Sequence, residues 1–302
     1  MAEMEWTWAW NWWSALVAIN VVNLIACVFL FSRSRNSGDI EYARYGKLMR
    51  NFGAIFILVA VYRSVFVSSY LHQLAWFDTL ANSSLLIRFF AIFAEISFAS
   101  LIMLAMLQLN KEVPDPAQGA PKHPPGFLLT KAPYVLFACI FVAQFFATTA
   151  TVTKIEVLFA IEETLWGMAF LAILPLILVQ LARIYSYKDS QTRQELKLYR
   201  AFTLMMAVFT VGYCAYSLLY HLPIEIWPSA IAHWQMENPM PAIQTGGQAI
   251  GDAFFVVNET KDLATWGGVG FLVWHSGYFS LCGWMVLFLM TGPRRVKTTS
   301  WE

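Results

Sequence analysis

The chain alternates long apolar runs with short polar interruptions, and the length of the runs decides the fold class. Crossing the hydrocarbon core of a bilayer as a helix takes about 20 consecutive, mostly apolar residues. Seven stretches qualify, at roughly 13–32, 51–70, 84–109, 132–152, 157–184, 201–221 and 266–291. Backbone groups in hydrocarbon must pair within their own segment, so runs of this length predict α-helices. The pattern predicts one domain over residues 1–302, an all-α integral membrane bundle of seven transmembrane helices. The interruptions have their own character. Lys111 to Pro125 holds five prolines and reads as a solvated linker, and Tyr185 to Arg200 reads as a short charged helix. The stretch 223–265 combines Pro223, Pro228, Pro239 and Pro241 with Trp227 and Trp234, which predicts a structured outer cap.

Charge orients the bundle. Arg33, Arg35, Arg44, Lys47 and Arg50 follow the first run, and Lys111, Lys122 and Lys131 follow the third. Arg183, Lys188, Arg193, Lys197 and Arg200 follow the fifth, and Arg294, Arg295 and Lys297 follow the seventh. Sixteen of the 20 basic residues thus share one side, against Lys154 and Lys261 on the other. Basic loops stay in the cytoplasm, so the N-terminus is expected outside and the C-terminus inside. Six or eight spans would destroy this separation. The expected location is a bacterial inner membrane or a eukaryotic membrane.

Composition agrees and removes some function classes. Hydrophobic residues make up 58% of the chain and charged residues only 13%, far from the balance of a soluble domain. A net charge of +1, with basic residues placed by topology, gives no case for nucleic acid. Cys27, Cys139, Cys214 and Cys282 each sit in a different apolar run, which argues against a disulfide framework or a thiolate metal site. The first 13 residues carry five Trp and no Lys or Arg, so no cleavable signal peptide is expected and the first run serves as signal and anchor.

Ionisable residues inside apolar runs are the candidates for chemistry, because hydrocarbon tolerates them only with a partner or a purpose. Arg63 and Glu95 fall at similar depths on neighbouring, oppositely directed runs, which predicts an Arg63–Glu95 ion pair. Arg88 precedes Glu95 by seven residues, two turns along the same helix face. Glu162 and Glu163 open the fifth run. Tyr213, Tyr216 and Tyr220 form a stripe that ends at His221, and His275 lies one turn from Tyr278. These groups share the outer half, and the inner half shows no comparable set. The pattern predicts an outward-facing polar cavity lined by these residues. Each has a plainer reading too, as a helix-end marker, an aromatic-belt residue or a lock between helices.

A metal or haem site would draw on His72, His221 or His275 with Glu95, Glu162 or Glu163. No HxxxH, HxxE or ExxH pairing supports one within the spans. His221 and Glu225 have i, i+4 spacing, but Pro223 interrupts them. No cofactor is identified. A retinal protein needs a lysine in its last helix, and 266–291 has none. The helix 3 and helix 7 marks of G-protein-coupled receptors are missing, as are the P-loop, GxSxG and HExxH motifs.

One resemblance is present. Tyr62-Arg63-Ser64, Phe77-Asp78, Arg88, Ala94-Glu95 and Phe98-Ala99 are similar to a pattern in uncharacterised polytopic membrane proteins of bacteria and protists. Leu222-Pro223, Trp227, Tyr278-Phe279 and Trp284 resemble it as well, while Val67 stands where that pattern has proline. The resemblance implies a polytopic fold of about seven helices and points to Arg63, Asp78, Arg88 and Glu95, without implying an activity. The expected function is binding of a small molecule or ion, receptor-like or carrier-like. The alternatives are a membrane-embedded haem or metal oxidoreductase and a structural subunit packed on partner membrane subunits.

Overall fold

The computed structural model describes residues 2–32, 40–113 and 126–295, and side chains from Trp8, Tyr42 and Thr130 onward in the three stretches. Arg33, Arg35, Lys122, Lys297 and the proline-rich segment 114–125 lie outside the described residues. The chain runs through α1 (Ala2–Ser32), α2 (Ile40–Val65), β1 (Ser68–Ser69), β2 (Leu74–Ala75), α3 (Ser84–Glu112), α4 (Gly126–Thr153), α5 (Glu156–Ser186) and α6 (Ser190–Glu195). It continues through α7 (Lys197–Tyr216), α8 (Trp227–Gln235), α9 (Gly246–Phe255), β3 (Asn258–Glu259), α10 (Gly268–Gly277) and α11 (Gly283–Met290). Two π-helical segments, Ser217–Ile226 and Tyr278–Cys282, fuse α7 to α8 and α10 to α11.

Seven helical segments among the described residues are long and apolar enough to cross a bilayer. They are Trp8–Ser32, Tyr42–Val65, Ser84–Glu112, Thr130–Thr153, Glu156–Ser186, Lys197–Gln235 and Gly268–Met290. Their outward faces carry exposed Val22, Ile25, Leu58, Phe145, Val208, Leu219 and Val273, which suits lipid and not water. Contacts between chain neighbours fix an up-and-down order. At one end Trp13 bonds the carbonyl of Val65 and Trp12 bonds Ser276. At the other end Tyr42, Tyr199 and the backbone of Arg295 converge on Glu112. The first is called the cap end below and the second the basic end.

Small residues set how closely the helices approach, as expected where lipid removes the usual hydrophobic drive. On α4 a buried stripe of Ala143, Ala147 and Ala150 faces its neighbours, and α5 answers with Ala160, Gly167 and Ala169. A Cβ on Gly53 would stand 2.1 Å from Met290 Cγ, so only glycine lets α11 lie against α2 there. A Cβ on Gly167 would stand 2.9 Å from Ser217 Oγ and 3.2 Å from Leu218, so that glycine admits the first π-helical segment to α5.

Three sequence expectations need correction. The helix expected at 201–221 does not stop before Pro223; it runs from Lys197 to Gln235. Proline has no N–H to donate and its ring crowds the carbonyl one turn back. The wider π turn around Pro223 absorbs both defects. The cap therefore begins after α8. It also contains strands, which the apolar pattern did not foreshadow. β1 pairs antiparallel with β2, and β2 pairs parallel with β3, so the 66–83 connection and the late segment form one small sheet beside fully buried Trp76. Third, the basic end does have a polar set, around Glu112.

The two lysines left at the cap end are both used inside the fold. Lys261 lies over the rings of Trp76, Phe77 and Trp10 at 5.1, 5.6 and 5.9 Å and bonds Trp76 O and Glu259 Oε1. Lys154, in the two-residue turn between α4 and α5, is fully buried with φ of 61°. Its ammonium donates to the Tyr70 carbonyl at 3.2 Å. Burial holds that amine down at about 8, opposed by the charge of Asp252. The sequence holds two glycosylation-type triplets, Asn82-Ser83-Ser84 and Asn258-Glu259-Thr260; Asn82 is buried and donates to Val67 O at 2.8 Å, whereas Asn258 is exposed in β3. All four cysteines are free.

Candidate polar site at the cap end

The buried stripe of α3 runs Ile87, Arg88, Ala91, Ala94, Glu95, Phe98, Ala99 and Ile102. This is the i, i+3, i+4, i+7 spacing of an inward face, so two charged residues sit where apolar ones are expected. Ala91, between them, is small enough for the arginine side chain to lie along the helix. Arg88 Nη1 and Nη2 reach Glu95 Oε1 and Oε2, both at 3.2 Å. Glu95 is thus paired with Arg88 on its own helix, and the expected Arg63–Glu95 pair is not the one formed. The reason is geometric. Arginine is long enough to span two turns, and matching depth does not make two helix faces meet.

A second helix completes the pair. Gln144 of α4 donates to Glu95 Oε2 at 2.9 Å and accepts a hydrogen bond from Arg88 Nη2. Sequence reasoning missed Gln144. Its signal was an amide alone within Phe141–Phe146, polar where every neighbour is apolar. A third helix adds Glu162 of α5, whose Oε1 lies 3.6 Å from Arg88 Nη1. Below the guanidinium, 5.6 Å away, is the ring of Tyr70. Arg88 and Glu162 are essentially inaccessible and Glu95 nearly so. These residues were expected to line an open cavity; they form a packed ionic layer instead.

Arg63 of α2 stands apart from that bridge, with its guanidinium over Phe279 at 5.4 Å and Tyr278 at 5.6 Å. His275 is buried against Phe271, Phe279 and Trp12 at 4.7, 4.8 and 6.0 Å. Several buried atoms here have no hydrogen-bond partner in the protein: Glu162 Oε2, Arg88 Nε, Tyr278 Oη and His275 Nε2.

The remaining candidates lie toward the surface. Glu163 follows Glu162 and faces His221, whose Nε2 lies 3.8 Å from Glu163 Oε2. His221 Nδ1 contacts Glu225 Oε2 at 2.7 Å and Tyr216 Oη at 3.2 Å. Pro223 therefore does not interrupt the His221–Glu225 spacing. The tyrosine stripe divides: Tyr213 packs on Phe170 at 4.8 Å, while Tyr216 and Tyr220 are exposed. Asp78 and His72 are exposed in the cap and take no part in the layer. Asn20 and Asn23 of α1, not singled out from sequence, are buried with one unpartnered atom each. An apolar groove of about 370 Å³ lies nearby between α5 and α8, bordered by Leu158, Trp227, Ile231 and Trp234. No candidate residue lines it.

Among the described residues no group of three or more His, Cys, Asp or Glu is arranged to hold a metal ion. His72, His221 and His275 thus do not assemble into the ligand set considered from sequence. No known protein family, curated protein or solved structure matches the chain.

Proposed function

We propose that this chain is a multi-pass membrane protein that binds a small molecule or ion in its cap-end polar layer, as a receptor-like or carrier-like protein. In this reading the cap end and the N-terminus face outside and the C-terminus faces the cytoplasm, because the basic loops gather at the opposite end. One observation carries the functional part: a buried charged layer that its own protein does not satisfy. A lock between two helices needs one cation and one carboxylate. Here Arg63 and Arg88 stand against Glu95 and Glu162, and Glu163 at the outer edge of the layer faces His221, so the five ionised groups carry one excess negative charge while that imidazole is neutral. The unsatisfied atoms are a carboxylate oxygen, a guanidinium N–H, a phenol and an imidazole nitrogen. In low dielectric such groups are expensive to leave unpaired. A monovalent cation or a small ligand with one positive charge supplies what is missing.

The test is thermal unfolding of the purified protein at constant ionic strength with sodium, potassium, ammonium and guanidinium as probes. At least one is expected to raise the midpoint in wild type and to lose its effect in Glu162→Gln. No response to any of the four in wild type would overturn the cation reading. Orientation is tested separately by cysteine labelling of intact cells. Positions in 236–265 are expected to react from outside and positions 188–197 to stay protected; the reverse pattern inverts the topology.

A further inference from the structure

We infer that the positive charge taken up by the layer is a proton, and that His221 passes it inward from Glu225 to Glu163 beside Glu162. This deepens the proposed function and rests on it. Four side chains step from the surface to the interior. Glu225 is 44% exposed, His221 18%, Glu163 13% and Glu162 3% at the side chain. The imidazole is the element that links the two ends. Its Nδ1 touches one carboxylate and its Nε2 approaches the other, which is the geometry of a ring that accepts a proton on one nitrogen and releases one from the other. The step balances without a co-reactant. A proton from the Glu225 carboxyl, reloaded from bulk water, binds Nδ1 and the Nε2 proton passes to Glu163; the ring then returns to its first tautomer by losing the Nδ1 proton to the Glu225 carboxylate or water and taking one from water at Nε2. No bond other than N–H and O–H is made or broken.

The local architecture brings these side chains together. Gly167, one turn below Glu163, lets the π-helical segment close on α5. The π turn around Pro223 brings Glu225 into reach of His221. The rings of Tyr216 and Trp274 flank the imidazole at centroid distances of 5.1 and 6.3 Å, holding it against lipid. Around His221 the titratable neighbours are Glu163 from α5, Tyr216 from α7, and Glu225. Around Glu162 they are Arg88 and Glu95 from α3, Arg63 from α2, and Glu163. Tyr70 from the cap and Tyr213 from α7 lie within its field. A proton on the Glu162–Glu163 pair neutralises the excess charge. Divalent cations fit less well, since no described group of three ligands is arranged for one.

Time-resolved infrared spectroscopy after a photochemical proton release tests the proposal on the full chain in nanodiscs. Wild type is expected to show a carboxylic-acid C=O band that grows as pH falls and is lost in Glu162→Gln or Glu163→Gln. In His221→Phe the same band should form about 100-fold more slowly, the loss typical of removing a positioned proton-transfer group. Glu225→Gln alters only an exposed side chain and serves if His221→Phe does not fold; it is expected to slow the band too. An unchanged rate in a folded His221→Phe, or in Glu225→Gln where that variant stands in for it, refutes the relay. Absence of any such band in wild type refutes proton loading. In that case a midpoint raised by sodium or ammonium would leave the cation-binding function standing, whereas failure of all the probes would remove both.

Discussion

The two ends of the bundle use carboxylates in opposite ways. At the basic end, Glu112 closes α3 and both of its oxygens are fully engaged. Oε1 accepts from Tyr42 and Gln108, and Oε2 accepts from Tyr199 and the Arg295 backbone, the last two at 2.7 Å. Arg295 then bonds Glu195 of α6 through its guanidinium. One half-buried carboxylate thereby ties α2, α3, α7 and the segment after α11 together. At the cap end, Glu162 lies deeper, has one oxygen without a protein partner, and shares its arginine with Glu95. A network that satisfies every atom is a fastener, whereas one that leaves buried atoms unpartnered keeps hydrogen-bonding capacity that the protein itself does not use. Residue type is the same in both; the difference lies in how many donors the fold brings to each oxygen.

The strongest way to break this comparison is at Arg88. Arg88→Leu leaves Glu95 and Glu162 buried without their cation and is expected to cost about 3–5 kcal/mol, read from reversible unfolding in mixed detergent. In double-mutant cycles Arg88 and Glu95 should couple by more than about 1 kcal/mol, and Arg63 and Glu95 by clearly less. Equal coupling would restore the interhelical pair expected from sequence. Next in size, Glu112→Gln replaces one accepting oxygen with an amide donor facing tyrosine hydroxyls. The expected loss is roughly 1–3 kcal/mol, with the response to sodium, ammonium or pH at the cap end unchanged. A lost response would show that the fastener and the cap-end polar layer are one network.

The last effect, read as a slope against pH, concerns Lys154. Its amine is held at about 8 by burial, below its value in the unfolded chain. Between pH 8 and about 10.5 the unfolded chain holds more protons, so this group makes the fold more stable as pH rises, by at most about 1.4 kcal/mol per unit. Below pH 8 both states are protonated and the contribution is flat at its least favourable level. Lys154→Met should remove that slope, seen as a smaller rise in unfolding midpoint between pH 8 and 10 than in wild type. A parallel pair of curves would mean that the turn holds Lys154 charged at no cost.

Much of the frame was legible in the chain. Seven apolar runs specify seven helices because hydrocarbon leaves the backbone no other pairing. Arg88 and Glu95 on one face were legible from their spacing, since helix periodicity is local. The partners were not. Gln144 sits 49 residues beyond Glu95, and nothing in either run says which faces of α3 and α4 meet. The passage through Pro223 was hidden for another reason: proline usually ends a helix, and only a π turn lets this one continue. The strands of the cap are two residues each, too short to leave a period.

The sequence by itself determined that the chain forms seven bilayer-length helices, that its basic residues gather at one end, and that ionisable groups lie in the apolar runs. These follow from length, composition and period, which are properties of single segments. Only the tertiary structure decided that Arg88 belongs to Glu95, that Gln144 completes the pair, that Glu112 is saturated while Glu162 is open, and that His221 bridges two carboxylates. Each of those depends on helix rotation and approach, which small residues such as Gly167 and the alanines of α4 set by letting backbones come close. Charge in a membrane finds whichever partner that packing delivers.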